Sequence, residues 1–161
     1  MKKPIFIMGL FFFVSSLISC NKNDLTENSS SLITTQQKNS NIKESDVPAA
    51  VLASFNQLYP STNVIGWDLI DGNYLANFKF NGNSMSVLFA ATGSVIETTT
   101  EILESQLPKN CTDYCAKYYA GKQIKSAYKT IDAQGRVFYK VDIDKTLLLF
   151  DSSGNFIRII V

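Results

Sequence analysis

The hydrophobic period of this chain changes from four to two, and does so again sixty residues later. Val51, Phe55 and Tyr59 recur at four-residue spacing and form one stripe of a helix over about 48–58. Asp46 stands where it can cap that helix, and Pro48 suits its first turn. Sliding by sixty puts Cys111 on Val51, Cys115 on Phe55 and Tyr119 on Tyr59, which predicts a second helix over about 108–118. After the first helix apolar and polar residues alternate: Ile65, Trp67 and Leu69; Tyr74, Ala76, Phe78 and Phe80; Met85, Val87 and Phe89; then Ile96 to Ile102. After the second come Ile124 to Ile131, Arg136 to Ile143, Lys145 to Phe150 and Asn155 to Val161. Half-buried antiparallel strands produce such alternation, and Asp71-Gly72 and Asn81-Gly82 are hairpin turns. The expected fold is α+β: two tandem units, 46–103 and 104–161, each a helix followed by a four-stranded antiparallel sheet, with the helices on one sheet face.

The other end of the chain bears on location. Lys2 and Lys3 precede an apolar run from Pro4 to Val14, and Leu17-Ile18-Ser19-Cys20 follows. A basic start, a short apolar stretch and small residues before a cysteine read as a secretory signal. Ser15, Ser16 and Ser19 interrupt the run well short of the roughly 20 apolar residues a spanning helix needs. The expectation is removal of residues 1–19 and a lipid on Cys20, a pattern that resembles a bacterial lipobox. Acyl chains at about 0.8 kcal/mol per buried methylene hold a protein stably when two or more are present. Residues 20–45, rich in Asn, Ser, Thr, Gln and Lys, read as a flexible tether. The expected location is the cell envelope, outer membrane by preference, facing the periplasm or the surface.

Composition excludes several chemistries. The chain contains no histidine, which removes Ser–His and Cys–His catalysis. Loss of Lys2 and Lys3 takes the net charge from +1 to −1, and no basic block or aromatic–basic motif points to nucleic acid. No cofactor-binding motif is present. Cys111 and Cys115 admit two readings. As core positions of the helix they are buried thiols; as an oxidised pair they form a disulfide, although positions i and i+4 of a regular helix strain that bond. Acidic residues at Asp142, Asp144 and Asp151 leave a calcium or small-ligand role open as the alternative function, against the plain reading that Asp151 caps a turn.

The pattern Val47-Pro48-x-x-Val51-x-x-x-Phe55-x-x-x-Tyr59-Pro60, with Trp67, Asp71-Gly72-Asn73-Tyr74, Phe78 and Phe89-x-x-x-Gly93, resembles the PepSY-like, beta-lactamase-inhibitor-like lipoprotein domains of Bacteroidota type. The second half departs from it: Tyr119-Ala120 replaces Tyr-Pro, and Tyr128 stands where Trp67 does. The resemblance implies a small secreted or lipid-anchored domain of tandem helix-plus-sheet units without an assigned activity. The residues themselves, lacking histidine, lead to the expectation of a non-enzymatic protein. Trp67 itself is read as core. If Tyr74, Phe78, Val137 and Val141 face the helices, then Leu75, Asn77, Lys79, Phe138, Lys140, Asp142, Leu147 and Leu149 share the other face. Leu75, Lys79, Phe138, Lys140 and Asp142 form the candidate binding face. The partners expected are the membrane, through Cys20, and an envelope or extracellular protein.

Overall fold

The computed structural model describes residues 40–160. Expectations for the signal segment, for Cys20 and for most of the tether therefore fall outside the described residues. The elements are β1 (Ser40–Ile42), α1 (Ala49–Leu58), β2 (Val64–Ile70), β3 (Asn73–Phe80), β4 (Asn83–Phe89) and β5 (Val95–Ile102), followed by α2 (Lys109–Tyr118), β6 (Ile124–Asp132), β7 (Val137–Ile143), β8 (Thr146–Phe150) and β9 (Phe156–Ile159). A 3₁₀ turn precedes each helix, Glu44–Asp46 before α1 and Glu104–Gln106 before α2. Asp46 belongs to the first of these and does not cap the helix; Pro48 holds the N-cap position without a side-chain bond.

The expectation of two helix-plus-four-strand units is overturned. Among the described residues, nine strands form a single antiparallel sheet in chain order, and two α-helices accompany it. The halves join where β5 pairs with β6 over six positions, from Glu97 opposite Asp132 to Ile102 opposite Ala127. Two separate sheets would leave both of those edges with unpaired N–H and C=O groups; joining them satisfies both. The ninth strand, β1, comes from the stretch read as tether, and Ile42 pairs with Trp67 at its end. A three-residue, mostly polar strand carries no alternation to reveal it.

Register shows which face each helix covers. Trp67, Ala76, Val87 and Thr98 lie side by side across β2 to β5, and Ile102, Ala127, Val141 and Leu148 across β5 to β8. Thr98 and Ile102 are four apart on one strand, so both rows are on one face. Under α1, Val51 and Phe55 pack on Trp67, Ala76, Phe78, Val87 and Phe89; under α2, Cys111 and Cys115 pack on Ala127, Val141, Ile143, Leu148 and Phe150. The register also corrects one alignment. Ala127, not Tyr128, holds the place of Trp67, because Ile102 pairs with Ala127 as Ile42 pairs with Trp67. Trp67 is buried as expected, and its Nε1–H finds no partner among the described residues.

The Phe-x-x-x-Gly pattern marks where a turn meets a helix. Gly93 and Gly154 have φ of +87° and +82°. A Cβ on Gly93 would lie 2.5 Å from the Ala50 carbonyl oxygen, and one on Gly154 would lie 2.8 Å from Pro108 Cβ. Only glycine permits both the left-handed backbone and the close approach.

Candidate binding face

Both helices lie on one side, so among the described residues the opposite face of the sheet carries no helix. Leu75, Asn77, Lys79, Phe138, Lys140, Asp142, Leu147 and Leu149 all lie on it. Lys79 is exposed, and Leu75, Phe138, Asp142 and Leu147 are half-buried. Lys140 and Leu149 are buried. The placement of Lys140 changes its role: its Nζ lies 3.2 Å from Glu97 Oε1, with both side chains less than a tenth exposed. Lys140 is spent on the sheet and is not presented to a partner.

Much of the polar surface around it is likewise spent internally. Asp132 Oδ1 accepts the backbone N–H groups of Gln134 and Arg136, and its Oδ2 lies 2.6 Å from Arg136 Nε. Burial alone would push the Asp132 carboxyl upward, but these donors and the guanidinium hold it below the usual range. The Arg136 guanidinium in turn sits 5.8 Å from the centre of the Phe138 ring. Asn77 Nδ2 donates to Asp68 Oδ2 at 2.9 Å, and the Thr99 and Thr130 hydroxyls are 2.9 Å apart. Reasoning from sequence missed Glu97, Thr130 and Asp132. One signal for Asp132 is present: Asp132-x-x-Gly135-Arg136 echoes Asp151-x-x-Gly154-Asn155, where Asp151 caps its turn.

That second turn leaves little for calcium. Asp151 Oδ1 accepts N–H from Ser153 and Asn155, and Oδ2 accepts from the Asn155 side chain. The Asn155 amide, with the backbone donors, holds the carboxyl below its usual range. Asp144 faces Lys122 at 3.1 Å. Of the acidic residues named for a calcium role, Asp151 is thus engaged by its own turn and Asp144 by Lys122.

Cys111 and Cys115 are buried and free, so the disulfide alternative is not what the structure adopts. Burial, with smaller contributions from Cys115 and Asp151, pushes the Cys111 thiol from 9.0 to about 12; burial, with Glu104, raises Cys115 as well. The unfolded chain releases the Cys111 proton near pH 9.0 while the folded chain retains it to about 12. Stability is therefore full below pH 9 and falls as pH rises between those values, by about 1.4 kcal/mol per unit. Denaturant titrations at stepped pH should show this slope, and Cys111→Val, the residue of the first half, should flatten it. An equal slope in the variant would contradict burial as its cause.

The sequence pattern described as "Putative beta-lactamase-inhibitor-like, PepSY-like" matches residues 28–96 and again 72–158. The chain belongs to the PepSY-like family. No curated protein matches it. Solved structures with a similar fold include a Bacteroides eggerthii protein described as "putative periplasmic", with 17% identity and a TM-score of 0.64 over 70% of this chain and 87% of that one. A DUF2874 family protein from Bacteroides uniformis is 22% identical, with a TM-score of 0.62 over the same shares. A BLIP-like protein from Bacteroides fragilis is 19% identical, with a TM-score of 0.57 over 70% and 84%. At such identities these likenesses establish the fold of this PepSY-like chain and nothing finer.

Proposed function

We propose that this PepSY-like protein is a non-catalytic, lipid-anchored protein of the cell envelope that binds another protein through its helix-free sheet face. The observation that carries the reading is the single continuous sheet with both helices on one side. Leu75, Phe138 and Leu147 supply apolar contact area there, and Lys79 and Asp142 supply charge around it, the mixture found at non-obligate interfaces. The envelope location draws on the lipobox-like Leu17-Ile18-Ser19-Cys20 and on the "periplasmic" description of the Bacteroides eggerthii structure. The inhibitor-like character draws on the family description and on the BLIP-like neighbour, as analogy of fold. The absence of histidine supports a role without turnover.

The test is a paired substitution, Phe138→Ala with Lys79→Glu, in protein expressed with its own leader in the native host. Melting temperature should stay within a few degrees of the parent. A protein recovered stoichiometrically with the parent after cross-linking should be lost. Recovery of the same protein at the same yield with the variant would refute binding through this face.

A further inference from the structure

We propose that the groove between Ile65 and Tyr128 on the helix-free face is a saccharide-binding subsite, taking one neutral, polyhydroxylated sugar ring. The groove encloses about 250 Å³, below the roughly 300–1,000 Å³ of clefts that hold drug-sized molecules. Its floor joins Ser84, Ser86 and Thr99 with the apolar Phe78 and Met85, and Asn77, Glu101 and Tyr128 stand at its sides. Ile65 forms the opposite wall at 70% exposure, thrown outward by the bulge between Val64 and Gly66. Bulges recur where a side chain is re-aimed beside a site.

What marks the groove is the gathering of hydroxyls and one carboxylate within a single concavity. Some polar side chains of this face satisfy one another, as Glu97 with Lys140 and Asp132 with Arg136, and two that line the groove are bonded too, Asn77 to Asp68 and Thr99 to Thr130. In the groove, the Ser84, Ser86 and Tyr128 hydroxyls and the Glu101 carboxylate make no side-chain hydrogen bond among the described residues. Three hydroxyls that donate and accept, and a carboxylate that only accepts, match ligand hydroxyls. The electron-rich face of Tyr128 suits the C–H face of a sugar ring.

Other ligand classes fit less well. Glu101 is the one charged lining residue among those described, which opposes phosphate and carboxylate ligands. A single carboxylate is too few ligands for a calcium ion. An extended peptide needs a free strand edge for its own backbone, and β3, β4, β5 and β6 are each paired on both sides.

The experiment titrates ¹⁵N-labelled protein with glucose, galactose, mannose and N-acetylglucosamine, following backbone amide shifts. At least one sugar should give saturable shifts in the millimolar range, confined to Ser84, Ser86, Thr99, Glu101, Tyr128 and their immediate neighbours. Tyr128→Ala should weaken binding by about tenfold or more. Ser84→Leu, at an exposed position that leaves the core untouched, should do the same by filling the floor. Absence of saturable shifts with all four sugars would overturn the proposal. So would shifts clustered elsewhere, or unchanged affinity in a folded Ser84→Leu variant. Its failure leaves the protein-binding reading intact, because Phe138 and Lys79 do not line the groove.

Discussion

Lys140→Met lowers unfolding free energy by about 3–5 kcal/mol, because it leaves the Glu97 carboxylate buried without its cation. Glu97 and Lys140 side chains are 4% and 9% exposed, so water cannot replace the lost partner. The loss comes from an orphaned charge, not from the worth of the pair. Taking two charges out of water costs nearly as much as their attraction returns, so a pair of apolar residues of similar volume should be tolerated. The double variant Glu97→Leu with Lys140→Met is therefore expected to recover to within about 1 kcal/mol of the parent. Urea titrations of parent, both single variants and the double variant read out the cycle. If Lys140→Met unfolds at the parent's denaturant midpoint, the pair is solvated and the inner part of the helix-free face is open to water.

Gly93→Ala is the second large effect. Its φ of +87° imposes a left-handed conformation on an L-residue, and the added methyl group lies 2.5 Å from the Ala50 carbonyl oxygen and 2.7 Å from Ser54 Oγ. Ser54 can rotate away, but the helix backbone at Ala50 cannot. Strain and overpacking together should cost about 2–5 kcal/mol. Gly82 separates the two contributions. Its φ is +83°, yet nothing lies within 4 Å of a Cβ built there. Gly82→Ala should therefore cost only the conformational part, about 1–2 kcal/mol. Equal losses at the two sites, measured by thermal or chemical denaturation, would remove the turn–helix contact from the account of the Phe-x-x-x-Gly pattern.

What the sequence could reveal depended on whether the governing interaction was local. Helix stripes and strand alternation are local, so Val51 with Phe55, and Leu75 apart from Tyr74, declare their faces directly. Hairpins at Asp71-Gly72 and Asn81-Gly82 are local as well, and Asp71, Gly72, Asn81 and Gly82 all take positive φ. The seam between β5 and β6 is not local. Alternation shows which way Thr98 and Thr100 face, but says nothing about which strand the edge of β5 will meet. Two units with an open edge each and one continuous sheet share the same linear pattern. Lys140 shows the same limit: alternation places it on the helix-free face, but its burial depends on Glu97, which lies on a strand two places away. Register gave the third difficulty. The halves are sixty residues apart at Trp67 and Ala127 but sixty-one at Phe89 and Phe150, and that slip of one residue sufficed to set Tyr128 in the place of Ala127.

The most direct measurement of the binding reading is a photo-cross-linking map in the producing cell, with a reactive side chain placed in turn at Leu75, Phe138 and Leu147, and at Gln57 on the exposed surface of α1. The helix-free face predicts that the first three positions join to one and the same protein, and that Gln57 does not. Capture of that protein from Gln57, with none from the three sheet positions, would contradict it.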